Sequence, residues 1–426
     1  MRLWIYQLLM WLVWPLWVYY SIKRCRRQNN GWQCWQQLWT IQCPHFQQAP
    51  IWIHAVSLGE TQAAFILIKQ LRQLYPTQPI FFTGGNSSAI NTAKQKAIDN
   101  VSISFLPLDY AWLRRRLFNA IKPKLLILME TEFWPNLINT AHQKNIPLVI
   151  IQARLSQSSR KNYPKYGQPL LRQLLEPVAF VAAQTQADAD ALIELGVQRQ
   201  RCHLLGNIKY DLTLPPTLAQ QSRALQDRIG QRWIWTAASI HAGEEVPLIQ
   251  SHQQLSSLPT NPLLILVPRH PNYFDTLAEY LAKTHIAFKR WSEWYETDAA
   301  LEASVQVLLV DTLGQLMPCY DIAQACFVGG SLVPWGGHNL LEPAALAKPI
   351  LTGPHNHNFS EIEQGLISAQ GIIKANDEGE LSKRLIQLYQ DPEQGKQIGL
   401  NAQTYFQQQQ GATKKIITEL GKYIAK

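Results

Sequence analysis

The sequence predicts an α/β protein of two doubly wound domains behind an N-terminal apolar helix. Three observations predict it. Short, nearly continuous apolar runs alternate with helix-periodic segments, as in a parallel sheet covered on both faces. The alternation breaks once, around Asp211–Thr217 (DLTLPPT), and then restarts. A chain of 426 residues exceeds one ordinary core and suits two domains. The domains are expected at 1–22 (anchor), 23–210, 211–217 (linker) and 218–426.

Taking the elements in order, Leu3–Tyr20 is apolar apart from Gln7 and rich in Trp and Tyr. Eighteen helical residues would span roughly 27 Å, near the hydrocarbon thickness of a bilayer. No A-x-A-like cleavage site follows, so a membrane anchor is expected, either spanning or lying in the interface. Lys23, Arg24, Arg26 and Arg27 follow it directly, which places the bulk of the chain on the cytoplasmic side.

Strands are expected at Ile51–Val56, Pro79–Thr83, Val101–Phe105, Leu125–Met129, Pro147–Ile151 and Val178–Ala183. After the linker they recur at Trp233–Ala238, Leu263–Val267, Val305–Val310, Ala325–Val328 and Pro349–Leu351. In sheets of this kind ligands bind beyond the carboxyl ends of the strands, so a cleft shared by two domains is the expected site.

The formal charge of +9 calls for an anionic partner. Arg154, Arg160, Lys161, Lys165 and Arg172 occupy a segment without acids, while the Arg114–Arg116 triplet reads as a solvated face. Six cysteines show neither CxxC spacing nor grouping with histidine, so no zinc site and no disulfide framework are expected, and a reducing compartment fits.

Four motifs carry chemistry. His54-Ala-Val-Ser-Leu-Gly-Glu60 runs from a strand into a helix and sets Glu60 at the cleft end, where it suits a general base. Ser57-x-x-Glu60 is equally a capping box, and the residues alone favour that reading. Met129-Glu130-Thr131-Glu132 sets two acids at another strand end. Gly206-Asn-Ile-Lys209-Tyr-Asp211 places a lysine at the hinge, where a surface lysine is the plainer reading. In the second domain Ser239–Glu245, Pro268-Arg269-His270-Pro271, Gly329-Gly330-Ser331 and Trp335–Pro343 lie at strand ends as anion-binding turns, with capping again the alternative at Asn339-x-x-Glu342. Neither GxGxxG after a first strand nor GxxxxGK[ST] occurs, which disfavours dehydrogenases and P-loop enzymes.

HAVSLGE, METEFWPN, ARLSQSS, GNIKYD, PRHP and GGSLVPWGGHNLLEPAA, in this order, resemble the 3-deoxy-D-manno-octulosonic acid (Kdo) transferases over essentially the whole chain. The resemblance implies a GT-B fold of two Rossmann-like domains and inverting, metal-free transfer from the donor CMP-Kdo to a lipid A precursor (lipid IVA), without a cofactor or nucleic acid. It implies Glu60 as the base, which reverses the reading from the residues alone, with Glu130 and Lys209 stabilising the transition state. CMP contacts fall on Pro268, Arg269, Leu313, Gly314, Gln315, Asn339, Leu340, Leu341 and Glu342. Gln315 stands where the family has Glu, and Thr83–Ser88 departs from the family's Thr-Pro-Thr-Gly-like turn. Another GT-B reaction (a nucleotide-sugar epimerase or a different lipid glycosyltransferase) and a non-catalytic membrane scaffold are the competing readings.

Overall fold

The computed structural model describes every residue except 1, 27–30, 97, 164–166, 256–257 and 426. Two of the basic residues singled out above, Arg27 and Lys165, therefore lie outside the described residues. The chain divides into two compact units, one of residues 1–211 and 410–426, the other of 212–409.

The first unit is built on seven parallel strands: β1 (Ile51–Ala55), β2 (Ile80–Gly84), β3 (Val101–Phe105), β4 (Leu125–Met129), β5 (Leu148–Ala153), β6 (Phe180–Ala183) and β7 (Cys202–Leu204). Their order is β3-β2-β1-β4-β5-β6-β7, the doubly wound arrangement with its switch point between β1 and β4. The inner strands are buried on both faces, which explains their unbroken apolar sequence. One face packs Ala64, Leu67 and Ile68 of the helix Leu58–Leu74 against Ile53 and Ile127. The other packs Trp52 against Phe118 and Leu137.

The second unit repeats the plan with β8 (Ile234–Ile240), β9 (Leu263–Pro268), β10 (Phe288–Arg290), β11 (Val307–Leu309), β12 (Ala325–Val328), β13 (Ile350–Thr352) and β14 (Ile372–Lys374). All are parallel, in the order β10-β11-β9-β8-β12-β13-β14.

Four expectations change. The final helix, Ala412–Ile424, buries Ile416, Leu420 and Ile424 in the core of the first unit, so the second unit ends at Gln409 rather than at 426. Asp211 receives the N–H groups of Gly411 and Thr413, fastening the start of that helix to the end of the first unit's main run.

The apolar N-terminal segment is not one helix. It forms Leu3–Leu12 and Trp14–Arg26, bent by 65°, and no single helix among the described residues is long and apolar enough to cross a membrane. Pro15 supplies the reason: it has no N–H to give the Trp11 carbonyl, and its ring crowds the preceding turn. The pair lies against the first unit. The Tyr6 hydroxyl donates to Asp109 at 2.9 Å and the Tyr110 hydroxyl to the Met10 carbonyl at 2.9 Å. Its outer face leaves Trp4, Leu8, Trp11, Leu12 and Leu16 exposed.

Arg114 is not on a solvated face. It is fully buried and pairs with Asp109 at 2.9 Å, and Asp109 also accepts the N–H groups of Asn136 and Leu137. Cys25 and Cys34 form a disulfide joining Trp14–Arg26 to the helix Gly31–Leu38, with Cα atoms 5.6 Å apart. Nothing in a spacing of nine residues announces a bridge that depends on two helices folding side by side.

Candidate active site

In the first unit the candidate residues sit at the carboxyl ends of the strands. Glu60 occupies the first turn of Leu58–Leu74 and is only 5% exposed. Its Oε2 accepts the N–H of Val56 at 2.8 Å and its Oε1 that of Ser57 at 3.3 Å, while its own N–H is given to Ser57 Oγ. The capping box is thus formed. It fixes the carboxylate by one backbone bond on each oxygen, and each oxygen keeps a lone pair for a hydroxyl donor.

Glu130 follows β4 with φ of 53°, a left-handed conformation that costs a non-glycine residue about 1–3 kcal/mol and recurs at functional sites. The Ile151 carbonyl receives its N–H at 2.8 Å. Its carboxyl lies 3.9 Å from Arg154. Burial pushes its pKa up, helped by the charges of Glu60 and Asp188 and opposed by Arg154 and Lys209. These mutual influences place Glu60, Glu130 and Lys209 in one neighbourhood. Lys209 confirms it, with Nζ about 4.0 Å from where a Cβ on Gly59 would stand.

Lys209 is positioned from below. A bulge interrupts the β5–β6 register between Ile150 and Ala153 and turns Gln152 inward with φ of 58°. The buried Gln152 side chain accepts the Ile208 N–H at 3.0 Å and donates to the Gly206 carbonyl at 3.0 Å. Gln184 adds a bond to the Asn207 side chain.

The second unit carries its candidates on four turns. Pro268 is buried at the end of β9, and the Arg269 N–H is given to the Ile240 carbonyl. The 311–315 turn is fastened by Asp311, which binds Arg290 at 2.6 Å and both the N–H and hydroxyl of Ser292. Leu313 stands 71% exposed at its tip, and Gly314 turns the backbone with φ of 90°. Gln315 precedes the helix Leu316–Ile322. Asn339 accepts the Leu341 N–H at 3.1 Å and bonds the Glu342 side chain, but the helix Leu341–Ala345 starts after Leu340 without a side-chain cap, so the capping box foreseen as the alternative there is not formed. Burial raises the Glu342 pKa, while Asn339 and the charge of Arg269 pull it down. Leu340 and Leu341 are fully buried, so their side chains serve the core and only their backbone is left for a ligand.

One glycine-rich turn departs from expectation. Glu244, fully buried, accepts the N–H groups of His241, Gly330, Ser331 and Leu332 at 2.7–3.0 Å. An internal carboxylate therefore fills the nest that Gly329-Gly330-Ser331 was expected to offer an anion. Gly329 is required here, because a Cβ would come within 2.8 Å of Glu244 Oε2. Beside it His241 and His338 stack in parallel with their Nε2 atoms 2.7 Å apart, one donating and the other accepting, and Trp335 stacks on His241.

The sequence model of the family described as 3-Deoxy-D-manno-octulosonic-acid transferase (kdotransferase) matches residues 31–212. The 3-deoxy-D-manno-octulosonic acid transferase of Haemophilus influenzae is 38% identical over 376 residues, covering 88% of this chain and 87% of the relative. This chain belongs to the Kdo transferase family. The Bordetella pertussis 3-deoxy-D-manno-octulosonic acid transferase is 30% identical over 423 residues, covering 96% and 95%. Among solved structures, the UDP-GlcNAc 2-epimerase of Neisseria meningitidis bound to UDP-GlcNAc aligns with a TM-score of 0.57, 14% identity, and coverage of 88% and 100%. That likeness speaks for the fold alone: two Rossmann-like units of the GT-B kind.

Within this Kdo transferase, the residues that sequence reasoning left out of the site are Glu132, Gln152 and Glu244. Glu132 shares the Glu60 neighbourhood. Its carboxyl accepts the Trp134 indole N–H at 3.0 Å, and burial with the nearby Glu60 charge lifts its pKa to about 7. The METE motif did announce it as an acid at a strand end. Glu244 lay in the Ser239–Glu245 turn, but nothing marked it as the anion that fills the neighbouring glycine nest, and an isolated Gln152 gave no signal.

Proposed function

We propose that this glycosyltransferase passes Kdo from CMP-Kdo to a lipid A precursor, with inversion and without a metal cofactor. The acceptor hydroxyl oxygen bonds the anomeric carbon of Kdo. The bond from that carbon to the CMP phosphate breaks, its electron pair leaving on CMP. The acceptor proton passes to Glu60. Lys209 and Glu130 stabilise charge developing in the transition state. The donor is held by Pro268, Arg269, the 313–315 turn and Asn339–Glu342, with Arg269 as the cation for the phosphate.

The observation that carries this reading is the Glu60 carboxylate, fixed by Val56 and Ser57 beside Lys209 and Glu130, in a member of the Kdo transferase family. A lipid acceptor and an inner-membrane surface are supported by the outward apolar face of the helix pair Leu3–Arg26, whose last turn carries Lys23, Arg24 and Arg26. With a 65° bend, this pair suits an amphipathic seat in the cytoplasmic interface better than a straight crossing.

The test is transfer by purified protein from CMP-Kdo to a tetraacylated lipid A precursor. Glu60→Ala should lower transfer by about 10²–10⁴-fold, the usual scale for a general base, with CMP affinity unchanged. Undiminished transfer in that variant would remove Glu60 from the mechanism.

A further inference from the structure

The first unit contains an apolar cavity of about 580 Å³ that the transfer chemistry does not use. Its size falls within the roughly 300–1,000 Å³ of ordinary small-molecule sites. Val13, Leu16 and Trp17 of the N-terminal helix pair form one wall, and Leu106 and Leu108, after β3, form another. Gly85 and Trp134 also border it.

Those last two residues connect the cavity to the candidate site. Gly85 packs so closely on Val56 that a Cβ would come within 2.6 Å of it, and Val56 gives its N–H to Glu60. Trp134 gives its indole N–H to Glu132. The opposite wall belongs to the helices whose outer face is exposed and apolar, with Leu16 69% exposed at the rim. A ligand filling this space is apolar along its length, enters from the helix-pair side and ends beside the carboxylates.

Charge narrows the class further. Arg24 lies at the cavity and is held by the Gly85 carbonyl at 2.6 Å, with Lys23 and Arg26 on the same helix. Asp109, the acid on the lining, is already paired with Arg114. An anionic head with an apolar tail fits these surroundings, whereas a neutral sterol gains nothing from the cations.

We propose that this cavity receives a fatty-acyl chain of the phosphorylated acceptor lipid, drawing it out of the membrane and presenting its sugar hydroxyl to Glu60. This rests on the transferase reading above. The experiment uses the full-length protein and a tetraacyl disaccharide bisphosphate carrying a diazirine at one acyl terminus. Irradiation should label the helix pair and the 106–108 loop, and Val13→Trp, which fills the cavity, should cut labelling at least tenfold. Leu16→Trp serves as a second, rim-blocking variant, and both must retain the wild-type melting temperature and circular dichroism as evidence of folding. In steady state the same variants should raise KM for the acylated acceptor about tenfold and leave the deacylated disaccharide bisphosphate unaffected. Labelling spread over Trp4 and Leu8 and indifferent to both variants would overturn the proposal, as would equal KM increases for the two acceptors. Labelling is read without turnover. Failure of the wild-type protein to release CMP would therefore defeat the transferase reading while the label still decides the cavity.

Discussion

Gln152 holds the backbone of Ile208 at 3.0 Å, one residue before Lys209, and does so from a left-handed position on β5. The lysine is thereby aimed by a side chain on another strand. Gln152→Ala should lower kcat by about 10²-fold, the scale expected when a charged group drifts by an ångström. CMP affinity should be retained. Steady-state kinetics beside a CMP titration checks both, and an unchanged kcat would deny Gln152 its positioning role.

Glu244 satisfies four backbone N–H groups in the interior of the second unit. Removing an acceptor leaves buried donors unpaired, at about 1–3 kcal/mol each. Glu244→Ala is expected to destabilise that unit by at least about 3 kcal/mol and to weaken CMP binding, as measured by denaturant unfolding and calorimetry. Glu244→Gln, which keeps an acceptor oxygen, should lose less.

Glu132 has its pKa lifted to about 7 by burial first and the charge of Glu60 second. A carboxyl whose folded pKa lies above its ordinary 4.5 favours the neutral form. Its contribution is therefore fully present below 4.5 and is lost as pH rises toward 7. Glu132→Gln should raise the melting temperature at pH 8 and change it little at pH 4, with a gain of at most about 3 kcal/mol at the higher pH. Thermal scans at the two pH values decide it.

Three histidines, His54 and His252 fully buried and His338 half-buried, push in the opposite direction along the pH scale. Burial lowers His54 and His338 to about 3 and His252 to about 4, from an ordinary 6.5. The fold keeps them neutral, so stability is intact above pH 6.5 and drains away as pH falls through 6.5 toward 3. Denaturant midpoints should fall steadily over that window, and His252→Asn should flatten part of the slope.

The outward face of the N-terminal helices supplies the last test. Replacing Trp4, Leu8 and Leu12 together by Ser should reduce flotation with anionic vesicles by at least about tenfold, since each buried CH₂ contributes near 0.8 kcal/mol to membrane binding. Secondary structure should be unchanged, because these side chains are exposed rather than packed.

Much of this architecture is legible in the chain because parallel strands buried on both faces leave unbroken apolar runs. Val101–Phe105 and Leu125–Met129 match their strands residue for residue. The strands that escaped notice, β7, β10 and β14, have three residues each and lie at sheet edges, where half-exposed positions erase the pattern. Glu60 and Glu130 were visible as polar residues following such runs, whereas Lys209 follows the missed β7 and its role came only with the family resemblance of GNIKYD. Arg114 was misread because a charge run says nothing of a partner five residues earlier, and only the helix turn brings Asp109 beneath it. The Glu244 nest was hidden for the same reason: its four amides come from segments up to 88 residues away.

The return of Ala412–Ile424 to the first unit bears on how the protein is made. Ile416 and Leu420 are sealed against the helix that bears Glu60, yet in the chain they come after the whole of the second unit. A nascent chain can complete the interior of its second unit first, while the first unit waits, with an open seam, for residues 410–426. A chain cut at Gln409 would leave the second unit whole and Glu60 on an uncovered helix.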